Sequence, residues 1–206
     1  MMRKENVMDG YAKIDQYNPK TIRSIAKKYT GILEDIGEDP QREGLVKTPE
    51  RVAKALQYLT HGYDLDPAQI LKSAMFTEEY QQMVIVRDIE VYSLCEHHML
   101  PFFGKAHVAY ISNGNVIGLS KINRIVQYFS KRPQVQERLT MQIGNELREI
   151  LGTDDVAVIM DAYHMCVSSR GVNDTNSSTV TSFYSGKFES DEQSRNEFLK
   201  YLSLKK

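Results

Sequence analysis

Tryptophan is absent from this 206-residue chain, and cysteine occurs only twice. Two cysteines cannot build the disulfide framework on which small secreted domains depend. A reducing cytoplasm is therefore the expected setting, with both thiols free for metal or catalysis. No apolar run approaches the roughly 20 residues that a membrane-spanning helix needs, so no membrane partner is expected. The opening stretch, MMRKENVMDGYAKIDQYNPK, is polar and lacks the apolar centre of a secretory leader. Charge of neither sign dominates. With a formal net charge of −1 and no basic stripe, nucleic acid is not an expected partner, and any anion site must be built locally. Repeats and low-complexity tracts are missing, as are the G-x-x-x-x-G-K-[ST] and G-x-G-x-x-G strings, so neither a P-loop nor a dinucleotide fingerprint is available.

What is present is ordinary for one soluble domain with an appendage: 41% hydrophobic residues, enough to bury a real core. Asn18 followed by Pro19 reads as a helix start, and Ile22, Ile25, Ala26, Tyr29, Ile32, Leu33 and Ile36 recur at helical spacing up to Gly37. A second helix is expected from Thr48 as cap, with Pro49 behind it, to Gly62, and a short third from Asp66 to about Met75. From Met83 the period changes. MVIVRDIEVYSL, KAHVAYIS and VIGL read as strands, the last two joined by an Asn113-Gly114-Asn115 hairpin turn. Ser120 is the expected cap of a helix striped by Ile122, Ile125, Val126 and Phe129. Beyond Pro133, a further helix is striped by Val135, Leu139, Ile143, Leu147, Ile150 and Leu151. DVAVIMDAYHMCVSS and STVTSFYSG read as strands, and Ser190 as the cap of a final helix. The class is α+β: an antiparallel sheet in the order strand–strand–helix–helix–strand–strand over residues 81–206, with a helical N-terminal extension over 1–80. Unpaired sheet edges make a homo-oligomer the expected state.

One cysteine and two histidines fall within the stretch Cys95-Glu96-His97-His98. Cys95 and His98 have C-x-x-H spacing after a long strand. His164 and Cys166, two apart in what reads as another strand, face one side. Thiolate and imidazole donors favour zinc over magnesium or calcium. Cys95, His98 and Cys166 are the expected ligands, leaving a fourth position for water and two histidines, His97 and His164, as proton carriers. A chance cluster, or a Cys95–Cys166 disulfide, stands as the alternative, and spacing does not separate structural from catalytic zinc.

GLSKINRIV places Ser120 and Lys121 at a helix N-terminus with Arg124 one turn on, and Arg170 comes four residues after Cys166. Three cations and a helix N-terminus suit a polyphosphate; a plain cap with solvated charges is the other reading. Gln136 and Glu137 open the next helix. A carboxylate and an amide there can bond a guanine-like edge, or Glu137 can simply favour the helix N-terminus.

Taken together, SLCEHHMLPFFGKAHVAYIS, VIGLSKINRIV, RPQVQERLT and HMCVSSRGV with the later TVTS closely resemble the GTP cyclohydrolase I family, in order and over most of the chain. The resemblance implies the tunnelling fold, a decameric toroid with sites between subunits, and zinc-dependent hydrolysis of GTP to formate and 7,8-dihydroneopterin triphosphate. It implies Cys95, His98 and Cys166 as zinc ligands and His97 and His164 as active-site histidines. Ser120, Lys121, Arg124 and Arg170 would contact triphosphate, and Gln136 and Glu137 guanine. Another tunnelling-fold pterin or purine enzyme, or a non-catalytic zinc-stabilised interaction protein, is the alternative.

Overall fold

The computed structural model describes residues 17–66 and 75–204, which fall into two compact units divided between His61 and Gly62. In the first unit, α1 (Pro19–Asp35) starts where the Asn18 side chain accepts from the backbone N–H groups of Lys20 and Thr21. It stops in a Schellman motif: Gly37 sits at φ 87°, its N–H reaches Glu34 O, and the Glu38 N–H reaches Leu33 O at 2.9 Å. The second helix, α2 (Thr48–Leu59), carries Thr48 inside its first turn, with Lys47 as the capping residue, and ends before Gly62. Gln57 ties the two helices together, accepting from Asn18 N at 3.0 Å and donating to Asn18 O at 3.2 Å. The expected third helix falls on residues outside the described set, apart from its ends, and Met75 opens a strand instead.

The second unit is a mixed α+β layer. Short β1 (Met75–Thr77) precedes β2 (Met83–Cys95), β3 (Pro101–Ile111) and β4 (Asn115–Ile117). Then come α3 (Leu119–Ser130), β5 (Pro133–Gln134), α4 (Gln136–Leu151) and β6 (Val156–His164). A helical turn, α5 (Met165–Ser168), leads to β7 (Thr179–Tyr184), α6 (Lys187–Ser190) and α7 (Glu192–Leu202). The main sheet runs β5-β2-β3-β6-β7, antiparallel except for the β5–β2 pair.

Four further expectations change in detail. The turn at Asn113–Asn115 forms, but β4 leaves β3 and pairs with β1 in a sheet of its own. Gly118, not Ser120, stands at the cap of α3, and Asp191, not Ser190, caps α7 with its carboxylate. The strand expected to run through Cys166 ends at His164, and Cys166 lies on the helical turn α5. Past Ile159 no β-branched residue occurs until Val167, so little local propensity holds the chain extended there.

Alternation along the strands makes two cores. Ala106, Val108 and Tyr110 of β3 and Val158 and Met160 of β6 face α3 and α4, meeting Ile122, Ile125, Val126, Leu139, Ile143 and Leu147. Each of these large side chains, fully buried, contributes about 1.5–3 kcal/mol. The opposite face carries Ala109 and Ala157 against Phe188 and Phe198, the latter on α7. A bulge at Arg87–Asp88 interrupts the β2–β3 register. Asp88 sits there at φ 59°, its N–H bonded to His107 Nδ1 at 3.1 Å, and Arg87 is turned to donate to Tyr201 O and Leu204 O, both 2.8 Å, at the end of α7.

This packing is testable at two positions. A Cβ on Gly144 of α4 would lie 2.2 Å from the Phe183 ring, so Gly144→Ala must push helix from sheet. Its expected effect is a loss of about 1–3 kcal/mol in chemical denaturation, and unchanged stability would contradict the packing. Burial lowers the pKa of His107, with the Asp88 carboxylate pulling the other way. As pH falls, the unfolded chain therefore takes up this proton first. The contribution of His107 is intact above about pH 6.5 and is lost as pH drops through the lowered folded value. A His107→Asn variant should flatten the stability curve between about pH 6.5 and that lowered value; an unchanged slope there would remove His107 from the account.

Candidate functional site

Strands β2 and β6 both run antiparallel to β3, which lies between them, so their C-terminal ends meet at the start of β3: Leu94 pairs with Pro101, and His164 with Phe102. Cys95 closes β2 and enters a tight turn. The Met99 N–H returns to Cys95 O at 2.8 Å and the Cys95 N–H to Leu100 O at 2.8 Å, while Met99 takes the left-handed φ of 53°. That knuckle swings the His98 ring back over Cys95, with Sγ to Nδ1 at 3.8 Å. The helical turn after His164 brings in Cys166 from the other strand. The ligand atoms of Cys95, His98 and Cys166 all lie within 4.8 Å of one another.

The donor set fits a metal ion. Two sulfurs and an imidazole nitrogen are soft and borderline donors, and a tetrahedral site with bonds of about 2.3 Å has edges of roughly 3.8 Å. Cys95 is only 7% exposed, so the ion would be shielded on its inner side. Burial, and then hydrogen bonding to Cys95, push the Cys166 thiol up, against the opposing charge of Arg170. A metal bound there would have to displace the thiol proton.

The two remaining histidines differ. His97 points outward, its side chain 65% exposed, with Nε2 at 3.9 Å from a Glu96 oxygen. The other Glu96 oxygen pairs with Arg138 of α4, a partnership that no local sequence pattern suggests. His164 is half-buried, stacked on Phe102 with ring centroids 4.7 Å apart and planes within 6°. Burial lowers its pKa, and the nearby Glu137 carboxylate opposes the shift.

Beyond α3, Pro133 sends the chain along β2, where Cys95 pairs with Gln134 and the Glu96 N–H bonds Gln134 O at 3.0 Å. This short parallel pair sets the start of α4 beside the metal group. Glu137 is exposed there within electrostatic reach of His164. Gln136 is buried, and its amide oxygen meets His164 Nε2 at 2.7 Å. Ser120, Lys121 and Arg124 share the first turns of α3, with Ser120 exposed and Lys121 buried. Arg170 lies just past α5 at the surface, its charge felt by Cys166.

The family model for GTP cyclohydrolase I matches residues 25–203. The chain belongs to the GTP cyclohydrolase I family. Among curated members, GTP cyclohydrolase 1 of Chlorobium phaeovibrioides is 52% identical over 187 residues, covering 91% of this chain and 84% of that protein. The Porphyromonas gingivalis protein of the same name is 53% identical over 182 residues, covering 88% and 94% respectively. For Parabacteroides distasonis the figures are 52% over 193 residues, 92% and 98%. Relatives of this family thus match the chain nearly end to end.

Metal binding is directly testable. Cys166→Ser should reduce the metal bound per chain to well below the stoichiometry of the unaltered protein, and metal affinity should weaken as pH falls because the thiol must first lose its proton. Elemental analysis and titration in buffers of different pH measure both; a pH-independent affinity would contradict thiolate ligation.

Proposed function

We propose that this chain is a GTP cyclohydrolase: it hydrolyses GTP at C8 of guanine, giving formate and 7,8-dihydroneopterin triphosphate, the first step toward folates or other pterins. The convergence of Cys95, His98 and Cys166 on one point carries this reading, because a three-ligand set leaves a coordination position open. Zinc is the metal proposed, and when bound it supplies a Lewis acid that lowers the pKa of water to about 7.

The chain's own residues do the rest. Attack at C8 requires protonation of a ring nitrogen, and His164 holds and delivers that proton, with His97 as a second carrier on the outer side. The stack on Phe102 keeps the His164 ring in one plane, which favours in-line delivery. Opening of the imidazole ring gives a formamide, whose hydrolysis releases formate. In the chemistry of this family the ribose then rearranges and the pterin ring closes. Glu137 accepts two N–H bonds from the guanine edge, with Gln136 assigned to the same edge by resemblance. Ser120, Lys121, Arg124 and Arg170 grip the triphosphate far from C8 and keep the base in register.

The sheet and its two covering helices are read as a tunnelling fold over residues 81–206, preceded by an extension over 1–80. Subunits assemble into a decameric toroid, with α3 and the metal group meeting between neighbours. Two free thiols near one another suit a reducing cytoplasm.

Incubation of the zinc-loaded protein with GTP should yield pterin fluorescence and equimolar formate. GTP that binds yet stays intact would overturn the reading. His164→Ala should keep zinc and lose ring opening by about a factor of 100 or more. Lys121→Ala should weaken GTP far more than guanosine, and equal losses would refute the phosphate assignment.

A further inference from the structure

Gln136, the first residue of α4, is 1% exposed, too enclosed for its amide to serve a ligand freely. Its Nε2 donates to Thr179 O at 2.8 Å and Met160 O at 3.3 Å, and lies 3.1 Å from Thr181 Oγ1. Backbone carbonyls only accept, so the NH2 end must face β6 and β7, and the amide cannot turn over. Thr140 braces the same corner, its hydroxyl donating to Gln136 O at 2.9 Å and lying 2.7 Å from Thr181 Oγ1. The amide oxygen is therefore held toward His164 Nε2 at 2.7 Å. An amide oxygen is an acceptor in every state. The His164 nitrogen facing it must carry hydrogen, and in the neutral ring the lone pair then resides on Nδ1.

We propose that Gln136 is a positioning residue that locks His164 as its Nε2–H tautomer, so that Nδ1 presents the lone pair of the neutral ring. The catalytic half of this inference rests on the proposed role of His164 in GTP hydrolysis; the tautomer itself does not. It also redirects Gln136. A guanine contact through this side chain would raise KM on its loss, whereas an orienting role lowers kcat. The ring plane is already set by Phe102, so the amide supplies the remaining choice, namely which nitrogen is protonated.

The test uses zinc-loaded protein labelled with 15N in the histidine rings, with the His164 signals assigned by their loss in His164→Asn. The expected spectrum has a protonated, pyrrole-type Nε2 and an unprotonated, pyridine-type Nδ1 for neutral His164. In Gln136→Met, which removes the acceptor at similar volume, the two tautomers should mix. The kcat for GTP should then fall about 10–100-fold with zinc content and KM little changed. A protonated Nδ1 in the unaltered protein overturns the proposal without any variant. An unchanged tautomer in Gln136→Met, or a loss confined to KM, overturns it as well. Lack of formate production from GTP with the expected tautomer intact would instead strike the proposed function and leave the lock standing.

Discussion

The structure depends on one topological constraint: β2 and β6 end at the same side of the sheet, held apart by β3. Neighbouring strands are about 4.8 Å apart, so the two ends stand roughly 10 Å from each other, too far for two cysteines to share an ion directly. The segment after each strand closes the gap. A knuckle, with Met99 in the left-handed region, curls the chain after Cys95, and a single helical turn curls it after His164. Each carries its thiol toward the start of β3, where Phe102 forms the floor beneath His164. The two cysteines are 71 positions apart in sequence, and the sheet register together with these two turns makes them neighbours.

The second consequence of that geometry is electrostatic. The same sheet edge receives β5, which lies parallel to β2 for two residue pairs and then turns into α4. The first residues of α4 thereby stand against His164, one as a buried amide and one as an exposed carboxylate. His164 thus has its polar partners delivered by backbone pairing, not by a flexible loop. That arrangement suits chemistry in which the position of a proton has to be fixed before substrate arrives.

Much of this is legible in the sequence because the relevant signals are local. The caps at Asn18 and Gly37, the apolar stripes of α3 and α4, and the C-x-x-H spacing of Cys95 and His98 each lie within a few residues, and they set the order of the main elements. The features that escape a sequence reading depend on partners far along the chain. The Asn113–Asn115 turn looks like a hairpin, yet β4 finds a better edge on β1. Cys166 reads as sharing a strand face with His164. Its side chain comes near Cys95 and His98 because the strand has already ended. Gln136 reads as an amide at a helix start, and its partners lie on β6 and β7, 24 to 45 positions away. The Glu96–Arg138 pair likewise joins residues 42 apart. No short-range pattern encodes such pairings.

The most direct measurement of the central claim is X-ray absorption at the zinc edge on the loaded protein. The account predicts two sulfurs per ion at about 2.3 Å, lighter donors completing a four-coordinate shell, and one sulfur fewer in Cys166→Ser. A shell without sulfur, or a sulfur count that Cys166→Ser leaves untouched, would contradict it.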